Sequence, residues 1–174
     1  MYLPVAVLLL FGYTFYNSGQ NMEKIEVGSP VPSFTLPDQN GRLFSIDSVI
    51  GKKNLVIYFY PQDDSPGCTK EACYFRDELD VFLEEDAMII GISGQSVESH
   101  KKFDEKYKLG FTLLSDKGDK VRKLFGVPVN FFGMLPGRVT YIVNKSGVVV
   151  YIFDSQTQAR KHVDEAMRIL KEMK

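Results

Sequence analysis

Cys68 and Cys73 are the two thiols of the chain, and both fall within sixteen residues, Tyr58-Phe-Tyr-Pro-Gln-Asp-Asp-Ser-Pro-Gly-Cys-Thr-Lys-Glu-Ala-Cys73. The apolar run at 55–60 is β-branched and aromatic, of strand length, and closed by Pro61, which predicts a buried central strand. Ser65 followed by Pro66 predicts a helix start. The hydroxyl is placed to cap free amides, and a proline in the first turn loses nothing by lacking an N–H. Cys68 then lies in the first helical turn, where unpaired amides and the positive end of the helix dipole favour thiolate over thiol. A polar turn bearing Pro and Gly is a poor place to bury an inert thiol, so Cys68 is placed as a nucleophile. Cys73 has two readings, a second reactive thiol or a small apolar residue on a packed helix face.

The spacing constrains any bond between them. Five residues along an α-helix correspond to about 7.5 Å of rise and about 140° of rotation. The Cα atoms would lie roughly 8–9 Å apart, beyond the ~7 Å that a disulfide can span. Pairing therefore requires the first turns of the helix to unwind, coupling oxidation to local unfolding.

Around this segment, strands and helices alternate, the pattern of an α/β sheet. Residues 34–36 and 43–45 flank Asp38-Gln-Asn-Gly41, and Asn-Gly is a hairpin signal. Residues 88–93 read as a second core strand, followed by a helix over 97–107. Residues 138–143 and 148–153 form a further hairpin around Asn144-Lys-Ser-Gly147. The last helix carries Val163, Ala166, Met167 and Leu170 at i, i+3, i+4 and i+7, a core-facing stripe with no suggestion of chemistry. Residues 126–137 are rich in Gly, Pro and large apolar groups and read as a loop beside the site. Phe131, Phe132, Met134 and Leu135 are expected to pack, with a pocket cover or partner contact as alternatives.

With 174 residues, 44% of them hydrophobic, one domain can build a full core. A net charge of −1 argues against a nucleic-acid surface. The cluster Lys101, Lys102, Lys106 and Lys108 is interleaved with Asp104 and Glu105 and reads as a solvated helix face. Two cysteines five apart, with His100 and His162 at no ligand spacing, make no zinc site, and there is no phosphate loop.

The motif Pro61-x-x-x-Ser65-x-x-Cys68, with Cys73 behind it, resembles the active site of the peroxiredoxins, specifically the Q type, also called bacterioferritin comigratory protein. The resemblance runs over about residues 27–170. It includes Gly91-Ile-Ser-Gly94, Phe111-Thr-Leu-Leu-Ser-Asp116, Lys120-Val-Arg-Lys-Leu-Phe-Gly-Val-Pro128 and Leu135-Pro-Gly-Arg-Val-Thr-Tyr141. It implies a thioredoxin-like α/β fold, a central mixed β-sheet flanked by helices, over residues 23–174. It also implies a thiol peroxidase in which Cys68 attacks the peroxide and becomes a sulfenic acid, which Cys73 resolves as an intramolecular disulfide. A low-pKa cysteine beside a resolving partner is how oxidation is kept reversible.

The other site residues follow from the same match. Ser65 stands where the family commonly has threonine, its hydroxyl able to bond the thiolate or a peroxide oxygen. Pro61 would shape and shield the pocket. Arg138 would reach the site from a distant strand, its charge favouring the thiolate and the departing oxygen. Arg76, more than two turns past Cys68, is read as structural. Glu71 faces the same side as Cys68, where a carboxylate works against the thiolate unless it relays a proton, and it is left outside the site. No cofactor or metal is implied. The implied partners are a peroxide substrate and thioredoxin or a similar dithiol reductant, and the implied state is a monomer. A redox-sensing or holdase module, with slow turnover and clients bound only when oxidised, is the alternative. A thioredoxin-type oxidoreductase is disfavoured, because four residues separate the cysteines rather than two.

The N-terminus lies outside the resemblance. Residues 1–16 contain no charged side chain, and the first in the chain is Glu23. That is short of the ~20 residues of a membrane span, though long enough for a signal-peptide core, and both a basic leader and an Ala-x-Ala site are missing. Residues 1–22 are read as an apolar targeting or anchor segment able to contact a membrane, with an extension packed on the domain as the alternative. The match over residues 91–141 favours a plastid compartment, and a membrane-anchored or exported location is the other reading.

Overall fold

The computed structural model of the chain describes residues 24–130 and 133–173. Two short strands, β1 (Thr35–Pro37) and β2 (Leu43–Ser45), form an antiparallel ribbon near the start. The chain turns between them over residues 38–42. The Asp38 carboxylate accepts from the amides of Asn40 (2.8 Å) and Arg42 (2.9 Å) there, so the connection is longer than a two-residue Asn-Gly turn.

The body is a mixed five-stranded sheet built from β3 (Asn54–Phe59), β4 (Ala87–Ser93), β5 (Thr112–Ser115), β8 (Val139–Val143) and β9 (Val149–Asp154), in the order β5-β4-β3-β8-β9. Strands β3, β4 and β5 run parallel, and β8 and β9 are antiparallel to their neighbours. Helices α1 (Pro66–Asp77), α2 (Leu79–Glu84), α3 (Val97–Tyr107), α4 (Lys120–Leu124) and α5 (Ala159–Glu172) flank it. Between α4 and β8 lies a small ribbon of β6 (Val129–Asn130) and β7 (Leu135–Pro136). This is the expected α/β arrangement.

Both faces of the sheet are covered, and the two-residue period of β3 divides the core accordingly. Val56, Tyr58 and Tyr60 point into one cluster with Ala72, Phe75, Phe82, Phe103, Val163 and Leu170, from the helices α1, α2, α3 and α5. Leu55, Ile57 and Phe59 point into the other, with Ile46, Ile90, Val121, Phe125 and Tyr141. A strand buried on both faces has to be apolar at every position, which is why residues 55–60 read as a continuous run.

Along α1 the buried residues are Cys68, Glu71, Ala72 and Phe75, an i, i+3, i+4, i+7 stripe packed toward α5 and the sheet. One expectation fails in the 126–137 segment. It forms the β6–β7 ribbon, in which Met134 is 77% exposed rather than packed while Leu135 is half-buried. Phe131 and Phe132 lie outside the described residues, as do residues 1–23 with the targeting or anchor segment. Among the described residues no helix is long and apolar enough to cross a membrane.

Candidate active site

The pairing of β3 with β8 positions the site. Phe59 opposes Val139, so Arg138 sits across from Tyr60, at the end of the sheet where the chain leaves β3 and enters α1. The turn between, residues 61–65, is tied down from below. Asp63 is buried and accepts from Tyr60 Oη (2.8 Å), Ser99 Oγ (2.6 Å) and His100 Nδ1 (2.9 Å). The other ring nitrogen of His100 bonds the Leu114 carbonyl at 3.1 Å. Arg122, also buried, donates to the Tyr60 carbonyl at 3.3 Å. These bonds fasten the turn to α3, β5 and α4, so His100 acts as a buried fastener.

Cys68 lies in the first turn of α1 and is 1% exposed, and Cys73 is half-buried on the same helix. Both are free thiols. Pro66 stands at the helix start as expected, but the expected cap does not form. Ser65 is the N-cap residue in extended geometry, yet its Oγ donates to the Gln62 carbonyl at 3.0 Å. The hydroxyl closes the preceding turn instead, so the first amides of α1 receive no side-chain cap. Their partial positive charge stays available to an anion at Cys68. In this geometry Ser65 does not bond the sulfur. Pro61, half-buried, follows Tyr60 at the start of the turn.

Arg138 is the hub. It is 4% exposed; its Nη2 donates to Cys68 Sγ at 3.3 Å, its Nε to the Gln156 carbonyl at 3.2 Å, and its Nη1 to Glu71. Burial works against the guanidinium charge, but Glu71 and Cys68 together hold its pKa above the ordinary range. A fixed cation at this distance complements negative charge on the reacting atoms.

Glu71 was expected outside the site, and the structure corrects that. It is fully buried one turn beyond Cys68 and ion-paired to Arg138. Burial pushes its carboxyl up to about 7, outweighing the neighbouring guanidinium. Only one oxygen is well served, since Oε1 has no hydrogen-bond partner. His162 Nδ1 stands 3.6 Å from Oε1 across the helix interface. That histidine, on a helix expected to carry no chemistry, is the second correction. His162 Nε2 donates to the Ser155 carbonyl and Nδ1 accepts from Thr140 Oγ1, each at 2.8 Å. Burial drives its pKa down to about 4, so the ring is neutral at ordinary pH. Arg76, read as structural, donates to the Tyr107 carbonyl (2.8 Å) and to Asp77, and it also interacts with the Cys73 thiol.

Gly67 is the neighbour on which this geometry depends most closely. A Cβ built there would stand 3.1 Å from Arg138 Nη2, the nitrogen that holds the sulfur. Gly67→Ala is expected to displace the guanidinium and slow the reaction of Cys68 with peroxide about tenfold, a fraction of what losing one preorganised donor costs. The melting temperature should change little. Stopped-flow oxidation of the reduced protein measures the rate, and an unaltered rate would show that Nη2 does not need its position.

The family model described as AhpC/TSA matches residues 27–152. The chloroplastic peroxiredoxin Q of Sedum lineare is 53% identical over 151 residues, covering 87% of this chain and 81% of that protein. The chloroplastic peroxiredoxin Q of Oryza sativa subsp. japonica is 53% identical over 150 residues, covering 86% and 69%. Among solved structures, peroxidoxin BcpB from Mycobacterium tuberculosis superposes with a TM-score of 0.81 at 34% identity, over 86% of this chain and 99% of that one. The Xanthomonas campestris bacterioferritin comigratory protein, described for its alkyl peroxide reduction activity, gives 0.76 at 29% identity, over 86% and 97%.

Proposed function

This chain belongs to the AhpC/TSA family as a peroxiredoxin of the Q type, and from that premise we propose how its own residues carry out thiol peroxidase chemistry. Cys68, as thiolate, attacks the outer oxygen of a hydroperoxide. The S–O bond forms as the O–O bond breaks, giving a sulfenic acid and releasing water or an alcohol. The observation that carries this is the Arg138 guanidinium held 3.3 Å from a sulfur that also sits on the uncapped start of α1. The same charges stabilise the negative charge that builds on the departing oxygen. For Ser65 to contribute, its hydroxyl rotates from the Gln62 carbonyl to a peroxide oxygen, while Pro61 walls the approach.

Cys73 then attacks the sulfenic sulfur and expels water, forming the Cys68–Cys73 disulfide. Both residues lie in the intact α1, where the helical repeat holds their Cα atoms roughly 8–9 Å apart. Resolution therefore proceeds through unwinding of the first turns, which draws Cys68 out of the Arg138 pocket. A dithiol protein such as thioredoxin restores the thiols by exchange at the exposed disulfide. We read the chain as a monomer, as the Q-type resemblance implies, and as working in a plastid on the strength of its chloroplastic relatives.

Cys73→Ser tests the second half of this cycle. In an NADPH-coupled thioredoxin assay it should consume one equivalent of peroxide and then stop, with turnover returning only when a small thiol is added to reduce the sulfenic acid. Sustained thioredoxin-driven turnover at the wild-type rate would show that Cys73 is not the resolving residue.

A further inference from the structure

We propose that Glu71 stores the proton that the departing peroxide oxygen takes up, with Arg138 coupling the carboxyl to the Cys68 sulfur. The inference rests on the peroxidase reading above and concerns where the acid for that reaction comes from.

Arg138 is the cation in direct contact with two buried groups that can each carry a negative charge, Cys68 through Nη2 and Glu71 through Nη1. The remaining groups around the carboxyl add no compensating charge. His162, from α5, is neutral, and its Nδ1 is already occupied by the Thr140 hydroxyl. Tyr58, from β3, is fully buried with its pKa held well above the ordinary range, first by burial and then by Glu71 and Cys68, so it too is neutral. One buried guanidinium compensates one anion well. A second anion in the same buried pocket is costly. The favoured states of the reduced site therefore carry either a thiolate with a protonated Glu71 or a thiol with an ionised one, and the first is the reactive state. Glu71 Oε1, buried and without a hydrogen-bond partner, fits a carboxyl that spends part of its time protonated.

Oxidation removes the sulfur's charge and so reverses the preference. The thiolate takes the outer oxygen of ROOH together with its hydrogen, becoming a neutral sulfenic acid. The O–O electron pair leaves on the inner oxygen as alkoxide or hydroxide. The Glu71 proton goes to that oxygen, giving ROH or water, and the resulting carboxylate stays against Arg138. Atoms and charge balance: thiolate, peroxide and carboxylic acid become sulfenic acid, alcohol and carboxylate, with one anion facing one guanidinium before and after. Glu71 and the sulfur are separated by the width of that guanidinium, a gap that a single water or the peroxide itself can bridge. The neutral His162 has a positioning role, since a ring unable to donate to Oε1 leaves the carboxyl its proton.

The proton count tests this. In a Cys73→Ser background, where the reaction stops at the sulfenic acid, oxidation at about pH 8, above the carboxyl's value of about 7, with an indicator dye in weak buffer should draw almost no proton from solvent. With Glu71→Gln added, which keeps the shape and an acceptor for Arg138 but stores no proton, about one proton should be taken up per sulfenic acid formed. The oxidation rate should fall roughly 100-fold, the lower end of what a positioned acid contributes. Because the variant could also disturb packing, the protein with Glu71 intact supplies a second measurement. Infrared difference spectra on adding one equivalent of peroxide should show loss of a protonated carboxyl band. Equal proton uptake with and without Glu71, or no change in that band, would overturn the proposal. Failure to trap any sulfenic acid on Cys68 would instead overturn the peroxidase reading beneath it.

Discussion

Cys68→Ser is expected to bring peroxide consumption down to the background of the reductants alone, while the fold survives. A hydroxyl does not ionise beside one guanidinium, and neutral serine oxygen does not attack an O–O bond, so no other feature of the site can substitute for the sulfur. The structural cost is small. The serine oxygen replaces sulfur as the acceptor for Arg138 Nη2, keeping a buried site that is 1% exposed paired, and the net change should be about 1 kcal/mol. The NADPH-coupled assay reads activity and thermal unfolding reads stability. Measurable peroxidase turnover in the serine variant would place the nucleophile elsewhere.

Arg138→Met is expected to fail in two distinguishable ways. Loss of the donor to Cys68 removes the fixed charge from both thiolate and departing oxygen, which should cost roughly 100- to 1,000-fold in the oxidation rate. Loss of the donor to Glu71 strands a fully buried carboxyl, with a penalty that depends on pH. Glu71 already has its pKa raised in the folded state, to about 7 from an ordinary 4.5. The stability linked to its proton is therefore complete below the unfolded value and is lost as pH rises through the folded one. Removing the guanidinium pushes that folded value further up. The variant should thus unfold near the wild-type temperature at about pH 5, where the carboxyl is neutral in both proteins. At about pH 8 the deficit should grow toward the roughly 3–5 kcal/mol of a broken buried pair. Arg138→Lys should recover part of the stability but little of the rate, because a single ammonium cannot reach sulfur and carboxylate in the fixed fork of a guanidinium. A pH-independent stability loss would show that Glu71 is not the group left stranded.

The parts of this site that could be read from the chain are those specified locally. An apolar strand closed by Pro61, then Ser65-Pro66, dictates a strand, a turn and a helix start, and that alone puts Cys68 on the first turn of α1. The bounds of α3 and of the β8–β9 hairpin follow from similar local signals. Ser65 was misread because its hydroxyl can either accept from the helix amides or donate to a carbonyl in the preceding turn, and here it donates to the Gln62 carbonyl. Glu71 was missed for a different reason. Its partner is Arg138, and the pairing depends on the register of β8 against β3, which no local pattern encodes. A signal was present all the same. Glu71 occupies the position between Cys68 and Ala72 on the buried stripe of α1, and His162 lies four residues before Ala166 on the stripe of α5. A charged or titratable residue at a core position needs a partner, so each should have been paired with an unassigned buried cation or donor.

The most direct test of the account is to oxidise the reduced chain with one equivalent of hydrogen peroxide and locate the change by peptide mass mapping. The account predicts a Cys68–Cys73 disulfide within a single chain, with the loss of two hydrogens, and in Cys73→Ser a sulfenic acid trapped by dimedone on Cys68. A sulfenic acid first appearing on Cys73, or thiols left intact while peroxide is consumed, would contradict it.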